Sequence, residues 1–179
     1  MRHSSRLALL GFALVGFQAC TVTPDQAAPI AEVGDHVVST QIAEREARGF
    51  SPVARRNQAR REVIKIAQDQ IGTPYVFGGM EPGGFDCSGL VYYTHYQVGQ
   101  AVPRTAAAQF RAAKRVRRHQ MKPGDLVFFK LKGRKISHVG IYAGNNRFIH
   151  APSTGKKVKY ASLDNPFWSK RFVGAGRYL

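Results

Sequence analysis

The stretch Gly83-Gly84-Phe85-Asp86-Cys87-Ser88-Gly89-Leu90-Val91 carries a glycine-loosened loop into an apolar segment. A helix is expected to open between Asp86 and Ser88 and to run to about Gln97, before the break at Gly99. Cys87 then falls in the first turn. Unpaired backbone N–H groups there favour a thiolate, so the thiol is expected to ionise below its ordinary value of about 8.5.

Working outward, Val63, Ile64, Ala67 and Ile71 mark one side of an amphipathic helix that Gly72 and Pro74 close. A third helix is expected from Thr105 to about Lys114, after Pro103-Arg104, and a basic helical stretch continues to Arg118. Beyond Pro123-Gly124-Asp125 the pattern turns to short runs separated by turn signals. Strands are expected at 126–130, 138–143, 147–151, 157–161 and 172–178. Helices followed by strands, without βαβ alternation, indicate an α+β domain with about three helices packed on an antiparallel sheet of about five strands. That domain is expected to span 56–179, long enough for one core.

Residues 1–19 read as an export signal, with Arg2 and Arg6 before the apolar run Leu7 to Phe17 and Ala19 just before Cys20. This apolar run is short for a permanent membrane helix. Two readings stand: a secretory leader cleaved near Ala19, or a lipoprotein signal in which Cys20 carries the lipid. Residues 20–55 hold Pro24, Pro29, Gly34, Gly49 and Pro52 without a sustained apolar period, as a flexible tether would. If Cys20 is acylated, Cys87 has no disulfide partner and is left as the odd thiol of an exported protein.

The chain carries 27 Lys and Arg against 11 Asp and Glu. Such a balance suggests a polyanion partner, and an export signal directs that expectation to envelope polymers or lipid head groups rather than nucleic acid. Much of the excess lies between Arg104 and Lys122 and between Lys156 and Arg171. A solvated basic surface accounts for it equally well.

A cysteine nucleophile needs an imidazole to exchange its proton and a third polar group to orient that imidazole. His138 and His150 lie on two expected strands joined by Gly144, Asn145 and Asn146. A three-residue loop pairs residues whose numbers sum to about 290 and puts both histidines on one face as diagonal neighbours. A two-residue turn puts them on opposite faces unless a bulge intervenes. His95 lies two helical turns from Cys87, too far to touch it. Zinc would need three close ligands, and neither CxxC nor HExxH occurs, so neither metal nor cofactor is expected. Backbone N–H groups of Cys87 and Ser88 suit an oxyanion. Tyr75 offers either a phenolic hydroxyl there or an aromatic that packs the loop.

Several segments in order carry a resemblance: Gly72-Thr73-Pro74-Tyr75, Asp86-Cys87-Ser88-Gly89, Pro103-Arg104, Pro123-Gly124-Asp125-Leu126, His138-Val139-Gly140-Ile141-Tyr142 and Phe148-Ile149-His150-Ala151. Together they resemble the NlpC family of papain-like cysteine peptidases, which cleave peptide stems of bacterial peptidoglycan. The likeness runs from about Arg60 to Leu179. With Asn165-Pro166-Phe167-Trp168 and Lys170-Arg171 added, the chain is most similar to the Spr-type (MepS) murein endopeptidases, outer-membrane lipoproteins. The resemblance implies Cys87 as nucleophile, His138 as base and acid, His150 as the third polar residue and Tyr75 as an active-site hydroxyl. It implies peptidoglycan stem peptides as substrate, with cleavage of D,D cross-links favoured over the D-glutamyl-diaminopimelate bond. Lipid attachment at Cys20 and an outer-membrane location facing the periplasm follow from the same likeness. An amidase or acyltransferase on the same fold, or a non-catalytic wall-binding lipoprotein, would share much of this pattern.

Overall fold

Ser51 and Pro52 begin the first helix, in a computed structural model that describes residues 51–179. The Ser51 hydroxyl accepts a hydrogen bond from the Ala54 N–H (3.2 Å), and Pro52 follows at the first helical position, where a missing N–H costs nothing. Helix α1 (Pro52–Asp69) therefore starts before the boundary expected near residue 56, and residues 52–55 are helix rather than tether. The expected leader, Cys20 and the rest of the tether lie outside the described residues. α1 buries Val63 and Ala67 as expected, and also Arg60, whereas Ile64 is only partly buried and Ile71 lies past the helix end and is exposed.

A two-stranded hairpin, β1 (Met80–Glu81) and β2 (Gly84–Phe85), delivers the chain to helix α2 (Cys87–Tyr96). Helix α3 (Ala106–Ala112) is capped by the Thr105 hydroxyl. It ends before Lys114. Ala113 turns extended, and Lys114–Val116 forms strand β3, where a basic helix had been expected. Pairing with the last strand of the sheet overrides the helical pattern there. The Arg115 guanidinium lies 3.3 Å from the centre of the Phe110 ring, holding strand to helix.

The five expected strands are present as β4 (Leu126–Phe129), β5 (His138–Gly144), β6 (Arg147–His150), β7 (Lys159–Ser162) and β8 (Phe172–Arg177). With β3 they make a six-stranded antiparallel sheet in the order β3-β8-β4-β5-β6-β7. A short helix, α4 (Pro166–Ser169), precedes β8. β4 is apolar at every position because both of its faces are covered. Leu126 and Phe128 join Val63, Leu90, Val139 and Ile149 beneath the helices, while Val127 and Phe129 join Phe148, Leu163 and Trp168 on the other face.

Candidate active site

Asp86 decides where α2 begins. Its Oδ1 accepts from the Gly89 N–H at 2.6 Å and from the Ser88 hydroxyl at 3.1 Å. Arg104 reaches across from the loop before α3 and donates to both carboxylate oxygens, at 2.9 and 2.6 Å. Burial works to raise the Asp86 carboxyl, but the Arg104 bonds, the Gly89 N–H and the Arg104 charge outweigh it and hold the group ionised below its ordinary range. Gly89 has to be glycine, since a Cβ there would overlap the Gly79 carbonyl oxygen. The small hairpin thus presses on the first turn of α2 and fixes Cys87, which comes next after the capping residue.

Cys87 is half-buried and has no disulfide partner among the described residues. Burial pushes its thiol above the ordinary value, and the Asp86 charge adds to that rise. Hydrogen bonds from the N–H groups of Val139, Ser88 and Cys87 itself pull the other way without cancelling it. The expectation of a depressed thiol is therefore corrected: the helix N-terminus favours the thiolate, but the dry surroundings favour the thiol more. The N–H groups of Cys87 and Ser88 belong to the first turn of α2, where the helix itself supplies no acceptor. The buried Ser88 hydroxyl donates to Asp86 and accepts from Arg104 at 3.1 Å.

His138 opens β5, one residue before Val139, and His150 closes β6. Ile141 pairs with Ile149 and Tyr142 with Phe148, whereas Gly144 pairs with Arg147. The connection is a two-residue turn, with Asn145 and Asn146 both at positive φ (51° and 53°), and a bulge between Tyr142 and Gly144 restores the even register. Both imidazoles consequently share a face, and His138 Nε2 lies 2.8 Å from His150 Nδ1. Trp168 stacks on His138 with ring centres 5.3 Å apart and meets His150 edge-on at 4.9 Å. Both histidines are almost fully buried. Burial lowers both imidazole pKa values, and the charges of His138 and Lys159 lower His150 further.

With Nε2 of His138 committed to His150, Nδ1 is the nitrogen free to exchange a proton. Among the described residues no hydrogen bond yet joins this imidazole to the Cys87 thiol, and such bonds commonly tighten only when substrate binds. An open groove of about 480 Å³ runs past the thiol, bordered by Tyr75, Phe77, Ser88, Arg104, Ile136 and Ser137. Burial raises the Tyr75 hydroxyl, as do the charges of Cys87 and Asp86, so it faces the groove as a neutral donor. His95 is buried in α2, with Nδ1 2.9 Å from the Val91 carbonyl oxygen, and takes no part. No cluster of three or more His, Cys, Asp or Glu suited to a metal occurs among the described residues.

Against this geometry, the profile of the NlpC/P60 family matches residues 72–177, which include every residue just placed around the thiol. The chain belongs to the NlpC/P60 family. Within NlpC/P60 proteins it is similar to the murein DD-endopeptidase MepH of Escherichia coli K12, 41% identical over 131 residues covering 70% of this chain and 48% of that one. It is also similar to the gamma-D-glutamyl-L-lysine dipeptidyl-peptidase of Bacillus subtilis 168, 35% identical over 150 residues covering 82% of this chain and 51% of that one. The chain spans about half the length of these curated relatives. Among solved structures, the NlpC/p60 domain of the peptidoglycan hydrolase SagA superposes with a TM-score of 0.58 at 35% identity, covering 66% of this chain and 97% of that one. The NlpC/P60 fold is thus the α+β arrangement expected from the sequence.

Sequence reasoning singled out Cys87, His138, His150, Tyr75 and Ser88; the fold puts Tyr75, Cys87 and Ser88 on one groove and His138 against His150, with the backbone of Val139, next to His138, at the Cys87 thiol. Sequence reasoning missed Asp86, Arg104 and Trp168. Asp86 stood in the quoted nucleophile stretch, and Arg104 in the pair Pro103-Arg104. What the sequence does not display is that Arg104 returns to Asp86, eighteen positions away in the chain.

Proposed function

We propose that this chain is a cysteine peptidase that hydrolyses stem-peptide bonds of peptidoglycan. The observation that carries the reading is the His138–His150 pair at 2.8 Å, held beside a capped helix whose first residue is Cys87. In the proposed reaction His138 takes the thiol proton as Cys87 Sγ attacks a stem-peptide carbonyl. N–H groups at the start of α2 stabilise the oxyanion. His138 then donates the proton to the leaving amine, and water hydrolyses the thioester, returning the proton to Sγ. Both partners start neutral, so proton transfer accompanies attack.

The D,D cross-link is the bond we propose. Similarity to a murein DD-endopeptidase at 41% identity supports it, while similarity to a gamma-D-glutamyl-L-lysine peptidase at 35% supports cleavage within one stem as the second reading. Mass spectrometry of digested sacculi separates the two, because cross-link cleavage turns dimeric muropeptides into monomers and stem cleavage shortens the peptides. Cys87→Ala is expected to abolish release while leaving sacculus binding intact, and cleavage by that variant would remove the nucleophile assignment.

We further propose that residues 1–19 are a lipoprotein signal, that Cys20 carries the lipid and that the tether holds the domain off the outer membrane on its periplasmic side. The order of charged, apolar and small residues before Cys20 supports this reading. Cys20→Ser should then release the protein from the membrane fraction, and retention there would refute the anchor.

A further inference from the structure

A second cavity of about 370 Å³ opens on His150 and shares no lining residue with the groove at Cys87. Its other walls include Ser153, Lys156, Lys159, Ser162 and Asn165, with Trp168 at one side. Lys159 is the cross-strand partner of His150 and so projects from the same face of the sheet. The Asn165 side-chain oxygen accepts from the Phe167 N–H at 2.9 Å, which leaves its NH2 as a donor. Among the described residues no carboxylate lines this cavity.

His150 is 1% exposed, and its Nε2 has no hydrogen-bond partner among the described residues. The tautomer follows from the relay. If Nδ1 of His138 is to accept the thiol proton, its Nε2 carries hydrogen and donates to His150 Nδ1, which puts the proton of His150 on Nε2. A buried N–H donor therefore points away from His138 with nothing to accept from it, which is a costly arrangement. The cavity that His150 lines also presents two ammonium groups, the hydroxyls of Ser153, Tyr160 and Ser162, and an amide. An oxyanion satisfies that set.

We infer that this cavity is a binding site for a carboxylate, whose oxygen accepts from His150 Nε2–H and extends the His138–His150 relay. This rests on the reading of His138 as the base. Bound there, the negative charge stabilises the imidazolium that forms when the thiol proton moves to His138, so occupancy raises turnover. The carboxylate comes either from solution as a small acid or from a peptide stem, and the two sources are distinguishable.

The test follows the His150 ring nitrogens by NMR in Cys87→Ala protein, titrated with acetate or with a soluble muropeptide, against chloride at matched ionic strength. A saturable shift of His150 Nε2 is expected with at least one carboxylate, identifying its source, and Lys156→Ala with Lys159→Ala should abolish it while leaving the unfolding midpoint in place. In the wild type, the effective ligand should raise kcat several-fold, and the double variant should lose that stimulation. A shift that never saturates, an equal response to chloride, or a response that survives in the double variant overturns the site. Because binding is read in an inactive protein, its failure is separable from a failure of the nucleophile assignment, which Cys87→Ala cleavage of sacculi reports independently.

Discussion

At Cys87 two effects oppose each other, and their balance fixes the pH behaviour. The helix N-terminus and three N–H groups favour the thiolate, but burial wins and leaves the thiol above its ordinary value. His138 is displaced the opposite way, to below the imidazole value of about 6.5, because a buried imidazolium loses its hydration. Activity needs His138 neutral and Cys87 carrying its proton for transfer. Acid protonates His138, so kcat/KM should fall only well below pH 6.5. Alkali removes the thiol proton, so the upper limb should lie above about pH 8.5. A pH–rate profile measured on a soluble muropeptide checks both limbs. An acid limb at 6.5 or higher would show instead that burial does not depress the His138 imidazole. Alkylation of Cys87 by iodoacetamide should likewise accelerate only above the ordinary thiol pKa.

Among the elements, the junction from β2 into α2 is the most constrained, because three backbone segments meet where a side chain cannot fit. The Gly89 N–H bonds to Asp86, and its α-carbon lies against the Gly79 carbonyl. Gly89→Ala should therefore force β1 away from α2, costing about 1–3 kcal/mol in urea unfolding, as overpacking usually does. Activity should fall further than stability, since Cys87 shifts with the helix and a displacement near 1 Å costs on the order of 100-fold. Equal losses would mean that the turn supports the fold without aiming the thiol. The β5–β6 hairpin shows a different constraint. Its Asn145-Asn146 turn alone would put His138 and His150 on opposite faces, and the bulge before Gly144 brings them together.

Over the whole domain, charge is distributed unevenly. Asp125 is fully buried and accepts hydrogen bonds from both Arg60 and Arg177, tying α1 to strand β8 inside the sheet. Asp125→Ala would strand two guanidinium groups and should cost about 3–5 kcal/mol in chemical denaturation; a loss below 1 kcal/mol would show that water takes over the carboxylate's place. The remaining cations dominate the exterior, with Lys114, Arg115 and Lys122 along one end of the sheet and Lys156 and Lys159 along the other. Binding of Cys87→Ala protein to sacculi should consequently weaken as salt rises from about 0.05 to 0.5 M, the range over which surface charge is screened. Binding indifferent to salt would assign the basic exterior to solvation alone. Local signals were legible in the sequence: the helix start at Cys87, the five later strands, and two histidines on neighbouring strands. These depend on residues close in the chain, where periodicity, capping and turn chemistry act. The sequence misled where partners are distant. Lys114–Val116 reads as helix until β8 supplies a strand to pair with, and the thiol reads as acidic until the packed domain removes the water around it. The sequence by itself determined which atoms are available for the chemistry. Only the tertiary structure decided their protonation, their bulge-corrected register and the Arg104–Asp86 clamp, because burial and long-range pairing arise only once the chain has closed on itself.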